Sequence, residues 1–114
     1  MIHIYGIKNC GSVKKALHFF DTHALPFTFH DFKSSPVTRD VVQNWVKQSD
    51  ISTLLNTKGT TYRTLDLKSL NLDETGKIDQ MAQENRLIKR PVVEYNGEVL
   101  IGFNQSQYEG TFIP

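Results

Sequence analysis

The spacing of apolar and polar positions changes period twice along the chain. Ile2, Ile4 and Tyr5 open a short β-rich run that ends at Gly6, the pattern of a first buried strand. From Ser12 the period lengthens. Val13, Ala16, Leu17 and Phe20 fall at i, i+3, i+4 and i+7, one face of an amphipathic helix, while Lys14, Lys15 and His18 take the other. Pro26 requires this helix to stop by about residues 22–24. Residues 26–30 then read as a second strand with Phe27 and Phe29 on one side.

Residues 33–88 read as mostly helical. Thr38 is placed as an N-cap, with Val41, Val42, Trp45 and Val46 at helical spacing behind it and Trp45 directed to the core. Residues 51–55 predict a short helix ended by Asn56-Thr57-Lys58-Gly59. A further helix from Asp73 or Gly76 towards Asn85 turns Ile78, Met81 and Ala82 inward, with Asn85 as a left-handed cap. The period then returns to that of strands. Residues 91–95 and 99–101 are β-rich, and Asn96-Gly97 between them is a strong hairpin signal. A short helix from about Asn104 closes the chain, with Phe103, Tyr108 and Phe112 docking it. Strand–helix–strand, a helical block and a hairpin together describe a small α/β sheet with helices over it.

Composition narrows the class. The 114 residues fit one domain, 1–114, large enough to bury a core without staples. No apolar run approaches the ~20 residues of a membrane span, and no secretory signal is visible. Thirteen Lys and Arg stand against 12 Asp and Glu, a balance that argues against a protein built to grip nucleic acid. The single cysteine, Cys10, cannot form an internal disulfide, so a reducing cytoplasm is the expected compartment. Four histidines, His3, His18, His23 and His30, share no ligand spacing, and no metal site is expected.

Cys10 sits between the first strand and the first helix, in Gly6-Ile7-Lys8-Asn9-Cys10-Gly11-Ser12. A sulfur at a helix N-terminus meets unpaired N–H groups and the positive dipole end, which favour the thiolate. Lys8, Lys14 and Lys15 are close enough in sequence to add to this. Gly11 leaves room for a close approach, and Ser12 reads first as a helix cap, secondarily as a group positioning the thiol. The competing reading is a buried, inert cysteine.

Tyr5-Gly6-Ile7-Lys8-Asn9-Cys10 followed by Val13-Lys14-Lys15-Ala16 resembles the opening of ArsC/Spx-type proteins, closest to their YffB-like branch. Leu54-Leu55-Asn56-Thr57-Lys58-Gly59-Thr60-Thr61-Tyr62-Arg63, Ile88-Lys89-Arg90-Pro91-Val92-Val93 and Gly102-Phe103 carry the same resemblance across the chain. It implies a thioredoxin-like fold, a small mixed sheet flanked by helices, with a helical insertion at about 33–88. It also implies Cys10 as nucleophile and Arg90 as a catalytic arginine. Pro91 is then expected in cis opposite the thiol, with Lys8, Gly11, Ser12, Lys58 and Pro91 lining the substrate. Arsenate reductases of this family hold the oxyanion with three arginines. Here Asn56 and Gly102 stand at two of those positions, which argues against arsenate as the substrate.

Spx-type relatives carry Cys-x-x-Cys, but position 13 is Val13, so no resolving thiol exists within the chain. The resemblance therefore implies a monothiol reductase of a small-molecule or thiol substrate. It binds no resident cofactor and draws on glutathione or glutaredoxin as outside thiol. The alternative it allows is a non-catalytic, Spx-like adaptor that binds RNA polymerase or another protein.

Overall fold

The computed structural model describes residues 1–114. Four strands form one sheet in the order β2-β1-β3-β4: β1 (Ile2–Gly6), β2 (Phe27–Asp31), β3 (Val92–Tyr95) and β4 (Glu98–Ile101). β1 runs parallel to β2, with Ile4 opposite Phe29, and antiparallel to β3, with Ile4 opposite Val93. The parallel pair is joined by α1 (Gly11–Thr22), one residue longer at its start than the periodicity predicts. The β3–β4 hairpin turns on Asn96 and Gly97, both at positive φ, the combination that a type I′ turn needs. This is the thioredoxin-like arrangement.

Alternation along the strands gives each sheet face its own core. Ile4, Val93 and Leu100 meet Ala16, Phe19 and Phe20 of α1 and Tyr108 of α6 (Gln105–Phe112). Tyr108 is fully buried and donates its hydroxyl proton to the Gly102 carbonyl at 2.8 Å, pinning the last helix. The other face belongs to the insertion between β2 and β3, which contains α2 (Arg39–Gln48), α3 (Ile51–Leu54), α4 (Thr60–Thr64) and α5 (Glu74–Gln83). Trp45 of α2 is fully buried there, and its Nε1 donates to Glu94 Oε2 at 2.7 Å. No helix is long and apolar enough to cross a membrane.

Several local expectations shift. Thr38 does stand at the N-cap of α2, yet its side chain makes no capping bond. α3 stops at Leu54, because Leu55 turns extended and forms a bridge with Ile88. Beyond it lie α4 and a 3₁₀ turn, Leu67–Leu70, bracketed by left-handed Asp66 and Asn71. Asn85 is not a left-handed cap. Glu84 leaves α5 in an extended conformation, and Asn85 opens a second 3₁₀ turn with its side chain buried. Asn85 Oδ1 accepts from the Val37 N–H at 2.7 Å and its Nδ2 donates to the Met81 carbonyl at 2.9 Å. Such pairing is what permits an amide to be buried.

On the insertion face, the parallel register brings two histidines into contact. His3 Nδ1 and His30 Nε2 lie 2.9 Å apart, within hydrogen-bond distance. Tyr5 stacks on His30 and donates to Glu94 at 3.0 Å. Partial burial and then the His3 charge push His30 below the usual imidazole value, with Glu94 opposing weakly. A folded-state value below the unfolded one means that the native state binds fewer protons. The contribution is complete above pH ~6.5 and fades as pH falls below it. The expected result is a urea midpoint that drops between pH 7 and pH 5 in the native sequence. The drop should be smaller in His30→Gln; equal drops would remove the pair from the account.

Candidate functional site

The first loop must bring α1 close under the end of β1. Gly6 makes this possible, because a Cβ there would lie 2.6 Å from Val13 Cγ2. The chain then turns through Ile7–Asn9, and the Cys10 N–H donates to the Ile7 carbonyl at 3.3 Å. Cys10 occupies the N-cap position of α1 with extended backbone dihedrals and a partly exposed thiol. A half-exposed thiol at a helix start is open to reagents, unlike a packed core cysteine.

Desolvation pushes the thiol up, but more is arrayed against it. The Val13 N–H, the nearby Arg90 guanidinium and the Ser12 N–H favour the thiolate. Together they leave Cys10 below its ordinary value. The helix start supplies donors through its backbone. Ser12 therefore acts by its N–H, and its hydroxyl makes no cap, contrary to the expectation of a serine cap.

Arg90 arrives from the far side of the insertion. Backbone bonds from Lys89 N–H to Leu54 O and from Asn56 N–H to Leu87 O, each 2.8 Å, tie the segment before β3 to α3. Arg90 NH1 donates to the Arg86 carbonyl at 3.2 Å, while its Nε is buried without a partner. The Arg90–Pro91 bond is cis and Pro91 is buried. The Pro91 carbonyl accepts from the Gly102 N–H at 2.7 Å, so β3 and the end of β4 are locked together beside the loop.

The remaining sequence candidates are placed differently. Lys8, Lys14 and Lys15 are exposed, and none of them acts on the thiol; Arg90 is the cation that does. Proximity in sequence was the signal for the lysines, and direction in space overrides it. Lys58 is also exposed, in the turn before α4, where its carbonyl accepts from Arg63 at 3.4 Å. Gly11 has open space on its Cβ side, so the loop is uncovered there. Gly102 has φ +81, and a Cβ would meet Lys89 Cε at 3.2 Å. A side chain at 102 would thus be strained and would press on the Lys89 stem. The Lys89 Nζ lies 3.8 Å from that Cβ position, so this lysine stands beside the glycine.

The model of the ArsC family matches residues 5–111, nearly the whole chain. The chain belongs to the ArsC family. An uncharacterized protein of Haemophilus influenzae is 37% identical over 113 residues, covering 98% of this chain and 99% of the relative. The solved structure of a YffB protein superposes with a TM-score of 0.91 at 36% identity, covering 96% of this chain and 97% of that one. A global transcriptional regulator Spx of Streptococcus pyogenes is 26% identical over 94% of this chain and 81% of its own length. In this ArsC-family chain the guanidinium of the Arg-Pro segment acts on the loop cysteine, with position 13 filled by a buried valine.

Proposed function

We propose that the protein is a monothiol reductase that works through Cys10 and an outside thiol, glutathione or a glutaredoxin. The observation that carries this reading is the Cys10 thiol at the N-cap of α1, partly exposed and lowered by the Val13 N–H and Arg90. The Cys10 thiolate attacks the glutathionyl sulfur of a mixed disulfide R–S–S–G. A Cys10–S–S–G bond forms, and R–S⁻ leaves to take a proton from water. A second glutathione thiolate then attacks that glutathionyl sulfur, releasing the Cys10 thiolate and glutathione disulfide. Arg90 holds the charge on Cys10 before attack and again as it leaves. In this reading the loop residues Gly11 and Ser12 and the buried Pro91 shape the ground on which the substrate lies. Lys8 and Lys58 are left for the carboxylates of glutathione. Arsenate fits poorly, since a single guanidinium stands where three would grip the oxyanion.

The test is the pH dependence of Cys10 alkylation in the native protein and in Arg90→Met. The native profile should have its midpoint below that of a free cysteine, and the variant's should move upward, slowing alkylation at pH 7 several-fold. A native midpoint at or above the free-thiol value, with no glutathione adduct by intact mass, would sink the reductase reading. The adaptor reading would then gain, supported by the similarity to Spx.

A further inference from the structure

A second site lies inside the insertion, away from Cys10. Between α4, the 3₁₀ turn and α5 there is a cavity of about 180 Å³, room for about six waters at ~30 Å³ each. Leu55, Tyr62, Leu67 and Leu72 give it apolar walls. Lys68, Asn71, Lys77 and Gln80 supply the rest of the lining, so an occupant must offer both an apolar body and a polar head.

The rim has one sign of charge. Lys68 and Lys77 reach the cavity, no carboxylate lines it, and neither lysine belongs to the two ion pairs of the molecule. Of the acidic side chains nearby in sequence, Glu74 of α5 has no partner but does not line the cavity, and three others are engaged. Asp66 accepts from the Ser69 hydroxyl, Asp73 caps α5 through the Gly76 N–H, and Asp79 pairs with Arg39. Asn71, held left-handed, and Gln80 add amide groups to the rim, and neither side chain has a partner within the protein. Apolar walls beneath two unpaired ammonium groups and free amide donors match one kind of ligand.

We propose that this cavity binds a small monocarboxylate with an apolar tail, the tail among Leu55, Tyr62, Leu67 and Leu72 and the carboxylate at Lys68 and Lys77. The volume sets the size, well below that of a drug-like molecule or a nucleotide. None of the lining residues is among the groups that act on the Cys10 thiol, so the proposal stands or falls independently of the reductase reading.

The experiment is a titration of the full chain with octanoate, followed by backbone amide resonances, with n-octanol as the uncharged control. Octanoate should produce saturable shifts confined to the amides around Leu55, Tyr62, Leu72 and Lys77. The double variant Lys68→Met, Lys77→Met should bind it at least about tenfold more weakly, the loss expected for one charge-assisted hydrogen bond. Both positions are on the rim, so the native spectrum serves as the check that this variant folds. Leu72→Trp, which fills the hollow from its wall, should abolish the shifts. Shifts that never saturate, that centre elsewhere, or that are the same size for octanoate in the double variant would overturn the proposal. Binding of n-octanol as tight as that of octanoate would overturn the carboxylate assignment.

Discussion

Replacing Cys10 by serine is expected to lower glutathione-dependent disulfide exchange on the order of 10³-fold or more, to the uncatalysed background. A serine hydroxyl stays protonated in a setting that ionises a thiol, so the donors from Val13, Ser12 and Arg90 have no anion to stabilise. The fold should be unaffected. Cys10 is partly exposed at an N-cap that makes no side-chain bond, and serine is a favoured residue at that position. The thermal midpoint should therefore stay level or rise slightly while exchange disappears. Exchange that persists in Cys10→Ser would mean that the chemistry resides elsewhere. A protein partner that remains bound to Cys10→Ser in a pull-down would favour the adaptor reading.

The largest expected effect on stability is at Trp45. The indole is fully buried, edge-on to Tyr5 at 4.9 Å, and its Nε1 holds the Glu94 carboxylate. Trp45→Ala removes the volume and strands that carboxylate with only Tyr5, a loss of about 3–5 kcal/mol. Against the ~5–15 kcal/mol that holds a typical domain folded, this puts a large share of the molecules near unfolding. Trp45→Phe separates the two contributions. It keeps most of the apolar contact and loses the bond to the carboxylate, about 1.5–3 kcal/mol. Urea unfolding followed by far-ultraviolet circular dichroism reads both, since the fluorophore itself is removed. A midpoint for Trp45→Ala within error of the native one would show that α2 contributes little to the fold.

The same tryptophan shows how far the sequence could be read. Its helical spacing with Val41, Val42 and Val46 places it in the core, and there it is. Nothing in the spacing points to Glu94, which is 49 residues away and meets it only because β3 lies beside β1. Elements with strong local signals, such as the Asn96-Gly97 hairpin and the Val13–Phe20 stripe, are legible without tertiary information. α4 is not. Thr60-Thr61-Tyr62-Arg63-Thr64 has no apolar stripe and three threonines of modest helix propensity, so its helix exists because of what packs around it. Asn85 has a cap's identity but a core residue's role, set by the Val37 N–H arriving from far along the chain. At the site, Cys10 and its helix start could be placed from the residues alone. Arg90 came only through family resemblance, and the lysines beside Cys10 were given weight that their outward directions remove.

The place of β1 in the sheet bears on how the chain must be made. Its first partner, β2, follows within one helix, but its second is at the other end of the sequence, where Ile2 meets Tyr95. A growing chain on the ribosome exposes Ile4 and Tyr5 long before Val92 and Val93 exist to cover one flank of the strand. Until β3 is made, the centre of the finished sheet is therefore an open edge, with unpaired N–H and C=O groups available to any extended segment nearby. The insertion can coil up on local contacts during that wait, whereas the strand that supports the Cys10 loop cannot be closed until β3 has been made.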